Sequence, residues 1–329
     1  MKKLLISGFY GYGNGGDEAV LSGIIASLRE AGLHRITVLS ADRAYTEALH
    51  GVPAAPRMSP ATLKAIADCD VFISGGGSLF QNATSSRSLY YYLALLLAAM
   101  LLGKKTVVFA QGIGPLSGQQ HISRTMSLLR KVSLVSVRDA DSASFLAKYG
   151  IDARVVPDPA FLCSSKDPEQ VLAAAGITGD YFTVCPRPWK DNSYLEPLTA
   201  AIEQYARSTG LQPLCLPMFF AEDRLIAGVA SVDGPLDFAM MRGVIARSRV
   251  IVGVRLHSLI LAAAEQVPFV AISYDPKIDA FSRACGQEPL EIDSLTREAL
   301  LARLAEPGLS PAPPDKDSLM SFADSIARL

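Results

Sequence analysis

This chain of 329 residues has almost no net charge: 31 lysines and arginines stand against 32 aspartates and glutamates. A formal charge of -1 excludes a global nucleic-acid footprint, so an anionic ligand has to be caught by a local cluster. Cysteine is scarce. Cys69, Cys163, Cys185, Cys215 and Cys285 are scattered without CxxC spacing, which excludes the usual zinc and iron–sulfur patterns. Their apolar surroundings suit buried thiols of a reducing, cytoplasmic compartment. A membrane-spanning run is also lacking, because the longest apolar stretch, Leu89–Leu102, has 14 residues against the roughly 20 that cross a bilayer. The N-terminal MKKLLISGFYGYG holds too short an apolar run for a signal peptide and reads as a first core strand. Internal repeats and low-complexity tracts are missing, and Trp189 is the single tryptophan.

What is present is apolar bulk. Half the residues are hydrophobic and 19% are charged, enough for two domains with well-buried cores. Strand candidates Lys3–Ser7, Ile36–Leu39, Val71–Ser74, Thr106–Gln111, Leu134–Val137 and Arg154–Val156 alternate with helix candidates. Those helices are Asp17–Ala31, Ala61–Ala67, Leu89–Leu102, Ile122–Lys131 and Ala140–Tyr149. A second series runs through strands Tyr181–Pro186 and Gln212–Pro217 and helices Tyr194–Ser208, Asp223–Ala230 and Asp237–Arg247. The alternation predicts an α/β chain of two doubly wound (Rossmann-like) domains, residues 1–162 and 163–329, facing across a cleft. Pro157–Pro168 is the expected linker, and Leu309–Pro314 leads to a last helix that can pack back on the first domain. Leu89–Leu102 has two readings: a buried core helix, or a segment lying partly in a membrane interface.

The most telling stretch is VIVGVRLHSLILAAAEQVPFVAISYDPK, from Val250 to Lys277. It reads as a parallel βαβ unit, and ligands in such units bind beyond the carboxyl ends of the strands, where helix N-termini point. Arg255, His257 and Lys277 are expected there together, with Lys277 held by a turn, and Ser258 follows. Arg187, stiffened by Pro186 and Pro188, ends another strand and is a further anion contact. Trp189 either walls a sugar or closes the cleft.

Three glycine-rich loops are expected on one edge of the first domain: Gly11–Gly16, Ser74–Ser78 and Gln111–Pro115. The first matches GxGxxG formally. However, Gly8-Phe9-Tyr10 loosen the turn, and Asp17 and Glu18 occupy the helix N-terminus that a pyrophosphate needs. Asn14, Asp17, Glu18, Gly76 and Gly77 therefore suggest a polyol site, with a purely structural turn as the alternative. Arg138 points to the same edge or pairs with Asp139 or Asp141. His34, His50 and His121 read as solvated.

GFYGYGNGGDEAVL, DVFISGGGSLFQ, QGIGP, SVRDADS, VVPDPAF, PRPW and the Val250–Lys277 stretch together resemble the polysaccharide pyruvyl transferase family. The likeness runs from residue 7 to 277 and is nearest to the bacterial cell-wall branch (CsaB-type), which ketal-pyruvylates an N-acetylmannosamine unit of a wall polysaccharide used in S-layer anchoring. It implies a GT-B-like two-domain fold and phosphoenolpyruvate as donor substrate, with no other cofactor and no metal. It also implies catalytic roles for Arg138, His257 and Lys277. Arg255, Arg187 and Ser258 would then hold the donor, and the first-domain wall would hold a polysaccharide or lipid-linked saccharide acceptor. A lipid-linked acceptor would bring the enzyme to the inner face of the membrane. A GT-B-type glycosyltransferase using a sugar nucleotide is the competing reading, and a non-catalytic sensor of a phosphorylated metabolite is another.

Overall fold

The computed structural model describes residues 2–83, 85–223, 226–232, 234–307 and 315–329. It contains two compact α/β units. One takes in the chain up to Tyr12, then Asp17–Cys163 and the C-terminal helix; the other takes in Gly13–Gly16 and the chain from Ser164 onward.

The first unit contains β1 (Lys3–Ser7), α1 (Gly15–Glu30, of which Gly15 and Gly16 group with the second unit), β2 (Arg35–Ser40), α2 (Arg43–His50), β3 (Ala54–Pro56) and α3 (Pro60–Asp68). It continues with β4 (Val71–Phe80), α4 (Ser86–Leu101), β5 (Lys105–Ile113), α5 (Gln119–Leu129), β6 (Leu134–Val137), α6 (Ala140–Ala147) and β7 (Arg154–Val155). Its parallel strands lie in the order β3-β2-β1-β4-β5-β6-β7. Strands covered on both faces read as unbroken apolar runs, and β1 and β4 are buried along almost their whole length.

The second unit contains α7 (Glu169–Ala174), β8 (Tyr181–Cys185), α8 (Leu195–Thr209), β9 (Gln212–Cys215), β10 (Ala230–Ser231), α9 (Phe238–Ala246) and β11 (Ile251–Gly253). Then come α10 (Leu256–Ala264), β12 (Phe269–Ser273), α11 (Pro276–Ala284), β13 (Leu290–Glu291) and α12 (Arg297–Ala305). Its parallel order is β10-β9-β8-β11-β12-β13. The last helix, α13 (Lys316–Ala327), belongs to the first unit. There Phe322 meets Phe109 edge-on at 5.0 Å, and Lys2 Nζ donates to Ala327 O at 2.7 Å.

Both sheets reverse their direction of growth once. In the first unit this happens between β1 and β4, in the second between β8 and β11. Helices on either side of such a point diverge, so a crevice opens beyond the strand ends.

Several expectations change. The glycines of Ser74–Ser78 and Gln111–Ile113 are not loops: β4 and β5 run on through them, with a register shift, pairing Gly77 with Gln111 and Phe80 with Ile113. The buried Gln111 amide makes this possible, donating to Gly75 O (2.7 Å) and Gly76 O (3.1 Å) and accepting from Leu79 N (3.0 Å). The helix expected at Asp223–Ala230 is, in its described part, a turn followed by β10, because Gly228 at φ 77° breaks the winding and Asp223 is engaged elsewhere. Arg224, Leu225 and the Leu309–Pro314 connection lie outside the described residues. His50 is not solvated: it ends α2, buried.

Candidate functional site

Beyond the strand ends of the first unit, Tyr10 turns back under the sheet. A Cβ on Gly8 or Gly75 would overlap its ring, which explains both glycines. The phenol is fully buried, and burial, then Asp17 and Glu18, push its pKa well up. Gly77 sits at φ 89°, where a Cβ would lie 3.2 Å from Asp17 Oδ1, so this glycine and this carboxylate share one spot. Gly76 does not join them, because its missing side chain is where Val20 packs α1 onto β4.

Glu18 is not open to a sugar. Its carboxylate is fully buried, accepting from Gly11 N at 2.9 Å and meeting His50 Nε2 at 2.9 Å. It ties the glycine turn to α2. Arg138 is likewise held: Nη1 donates to Asp158 Oδ2 (2.9 Å) and Nη2 to Ser78 Oγ (3.0 Å), with the guanidinium lying over Gly112. Its partner is Asp158, not Asp139 or Asp141; Asp139 instead caps α6 through Ser142 N.

The same edge holds a cluster that no motif announces. Arg57, just after β3, lies 5.1, 4.6 and 5.9 Å from the ring centres of Tyr12, Tyr91 and Tyr92. Nη1 donates to Tyr12 Oη, and Tyr91 Oη donates to Arg57 O at 2.7 Å. Burial works against the guanidinium charge, but Tyr92, Tyr91 and Tyr12 outweigh it and its pKa rises. Phe9 stacks on the exposed Tyr12 at 4.2 Å. Tyr12 and Tyr92 stand 80 residues apart in the sequence, and only the ends of β1 and β3 and the first turns of α4 bring the cluster together.

In the second unit, the elements beyond β8, β11 and β12 carry the cations. Arg187 follows β8, its guanidinium 4.0 Å over the Tyr274 ring and its Nε donating to Pro188 O. Trp189 is engaged as well, donating Nε1 to Asp293 (2.9 Å). Arg255 follows β11, yet its charge is matched. Nε donates to Asp223 Oδ2 (2.9 Å) and Nη2 to Asp223 Oδ1 and Glu222, and the Asp223 carboxylate is fully buried. Arg255 is therefore braced by carboxylates along its Nε and Nη2 side. Ser258 is also withdrawn: buried, its Oγ donates to Arg255 O at 2.6 Å and hydrogen-bonds the Cys185 thiol.

His257 stands in the first turn of α10, which no side chain caps. A Cβ on Gly16 would overlap the imidazole, so the glycine turn is pressed against this histidine. The contact is fixed by Gly15 N donating to Met218 O (2.9 Å) and by an antiparallel bridge between Asn14 and Phe219. Asn14 Oδ1 accepts from Gly16 N (3.1 Å), which places Asn14 beside His257 in the second unit and not on the first-unit wall. Lys277 lies in the first turn of α11 rather than in the turn expected before it, because Asp275 caps that helix (Lys277 N to Oδ1, 3.1 Å). Its Nζ is 3.1 Å from Asp275 Oδ2, and the pair is partly exposed.

Compared with protein families, the chain matches the model described as polysaccharide pyruvyl transferase across residues 14–276. A search of curated proteins finds no match. Among solved structures it is similar to a UDP-GlcNAc 2-epimerase from Neisseria meningitidis bound to UDP-GlcNAc, at 12% identity, TM-score 0.68 and 100% of both chains. It is similar to the Methanocaldococcus jannaschii UDP-GlcNAc 2-epimerase at 16% identity, TM-score 0.67, 100% of this chain and 99% of that one. A glycosyltransferase from Rickettsia africae shares 12% identity at TM-score 0.54, with 98% and 94% covered. Identities this low establish the shared two-domain α/β fold alone. The family model spans most of the length, and on that ground the chain belongs to the polysaccharide pyruvyl transferase family.

Proposed function

We propose that this protein transfers pyruvate from phosphoenolpyruvate to two hydroxyls of one saccharide unit, forming a cyclic ketal and releasing phosphate. The observation that carries this reading is the row of Arg187, His257 and Lys277 beyond three neighbouring strands, β8, β11 and β12, at the switch point of the second sheet. A small donor with a carboxylate and a phosphate needs several cations and an uncapped helix N-terminus, and that edge supplies both.

In the proposed reaction one sugar hydroxyl adds to C2 of the enol, and the methylene carbon takes up a proton to become a methyl group. The C2–O bond to phosphate then breaks, phosphate leaves, and the neighbouring hydroxyl closes the ring on C2. Its proton leaves with the phosphate, so the two hydroxyl protons balance the new methyl hydrogen and the protonated product. Lys277 and Arg187 neutralise charge that builds on the departing phosphate, the kind of stabilisation that dominates such transfers. His257, in the first turn of α10 and pressed against Gly16, serves as the proton carrier.

The acceptor in this reading is a wall-polysaccharide unit of the N-acetylmannosamine type, free or lipid-linked, as in the CsaB-type branch. The protein would act in the cytoplasm. Asp17 and Gly77 accept and approach its hydroxyls, and Tyr12 offers an exposed ring to a sugar face. Arg138, braced by Asp158 and Ser78, orients that wall. Phosphate release from phosphoenolpyruvate with a panel of N-acetylhexosamine glycosides tests the proposal. Release that depends on one glycoside supports it. Nucleotide diphosphate release from a sugar nucleotide, with phosphoenolpyruvate untouched, replaces it with the glycosyltransferase reading that the neighbouring folds keep in view.

A further inference from the structure

A second feature of the first unit has nothing to do with either ligand edge. Only one face of α4 is packed: Leu89, Tyr92, Leu93, Leu95, Leu96 and Ala99 are buried. Arg87, Tyr90, Ala94, Leu97 and Leu101, spaced three or four apart, form the outer stripe. Leu97 is 42% exposed, Leu101 78% and the following Leu102 47%. Next to α4, just before and within α3, Met58 and Leu63 are exposed too, at 78% and 56%. Single exposed apolar residues are ordinary, but a contiguous set marks a contact surface.

The chain segment that carries this stripe has charge of one sign. From Val71 to Arg138 the chain contains no aspartate or glutamate, although acidic residues outnumber basic ones overall. Apart from the buried Arg138, the cations of that segment are Arg87, Lys104, Lys105, Arg124, Arg130 and Lys131, and all but the half-buried Lys104 are exposed. Arg124 and Arg130 lie in or at the end of α5, which adjoins α4 through Arg124 Nη1 donating to Tyr90 Oη (2.9 Å). The carboxylates that bound this segment are Asp70, which with Asp68 sits at the far end of α3 beside Lys104, and Asp139, which caps α6.

We infer that the outer face of α4, flanked by α3 and α5, docks on the surface of an anionic phospholipid bilayer. Apolar side chains would enter the headgroup–acyl boundary while the basic rim meets lipid phosphates, the layout of an interfacial helix. The helix lies on the surface and does not cross it, because no helix among the described residues is long and apolar enough to span. A second copy of this chain is the less fitting occupant, since two faces of the same positive sign would meet. This inference stands independently of the pyruvyl-transfer reading.

Flotation of the full chain with vesicles of phosphatidylglycerol and phosphatidylcholine tests it, with pure phosphatidylcholine vesicles alongside. The wild type is expected to float with the anionic vesicles at low salt and to stay at the bottom with the neutral ones. The triple change Arg124→Glu, Arg130→Glu and Lys131→Glu should weaken partitioning on the order of a hundredfold or more, at about a kilocalorie per basic residue. Leu97→Glu with Leu101→Glu should abolish flotation while leaving the melting temperature unchanged, and Leu101→Glu alone serves if the pair unfolds. The inference is overturned by absence of wild-type flotation, or by flotation that survives the charge reversal. A wild-type dimer in solution that Leu101→Glu converts to monomer overturns it as well and assigns the face to a second copy.

Discussion

At the edge of the first sheet the charged groups are already matched. Glu18 meets His50 with both side chains almost fully buried, and Arg138 meets Asp158 under the same conditions. At the edge of the second sheet two arginines and a lysine stand in a row, but they are matched to different degrees. Arg255 faces the fully buried Asp223, whereas Lys277 faces the partly exposed Asp275. The difference is physical. A buried pair cannot release one member without stranding a charge, at about 3–5 kcal/mol, while an exposed pair is worth about 0–1 kcal/mol. An incoming phosphate can therefore take Lys277 from Asp275 but cannot take Arg255 from Asp223. Arg187, stacked on Tyr274, and Lys277 are the exchangeable cations; Arg255, Arg138 and Glu18 are framework.

The largest expected effect breaks that framework. Arg255→Ala should cost about 3–5 kcal/mol of folding stability in a denaturant titration, because Asp223 is left charged in the interior. Removing both partners in Arg255→Ala, Asp223→Ala should recover a good part of the loss. Should Arg255→Ala stay within about 1 kcal/mol of wild type and yet stop phosphate release, Arg255 would belong with the ligand contacts and the division drawn above would fail.

Next come the exchangeable groups. His257→Ala and Lys277→Ala are expected to slow phosphate release by about a hundredfold or more, typical of losing an acid–base or charge-stabilising group. Their stability should move by less than about 1 kcal/mol, since neither change strands a buried charge. A variant with wild-type turnover takes its residue out of the mechanism. Gly16→Ala probes the same histidine indirectly. The new methyl must push the imidazole aside, so turnover should fall roughly ten- to hundredfold, as a displacement near 1 Å can do. An unchanged rate would show that the imidazole position tolerates the shift.

The fold was legible because parallel strands buried on both faces leave long β-branched runs such as Val250–Val254, and the linking helices keep their own period. β4 and β5 were read too short, since Gly75–Gly77 and Gly112 signal a break. The extended backbone is in fact held by one buried amide, Gln111, whose partners lie about 35 residues away. At the site, residues at strand ends were legible by position: Arg187, His257 and Lys277 each follow a strand. Whether a charge is matched was not. Asp223 is 32 residues from Arg255, and Asp158 is 20 from Arg138, so nothing local marks them as partners. That Asn14 groups with the second unit was not legible, because a turn that changes unit within four residues reads as one continuous loop.

The Arg57 cluster is the exception within the first unit and gives the smallest effect. It is the one cation of that edge whose recorded partners, among the described residues, are phenols rather than a carboxylate. A guanidinium held by cation–π contacts of about 0.5–1 kcal/mol each keeps its charge for a ligand at little structural cost. Arg57→Gln should therefore lower stability by no more than about 1–2 kcal/mol, as read from the melting transition. It should raise the KM for the saccharide acceptor about threefold to tenfold, leaving the KM for phosphoenolpyruvate unchanged. Tyr12→Leu should reproduce the KM effect with almost no change in stability, because Tyr12 is the exposed member. If Arg57→Gln instead shifts both KM values equally, or neither, the cluster only braces β3 against α4. The first edge would then consist wholly of matched charges, and the contrast between the two sheets would be complete.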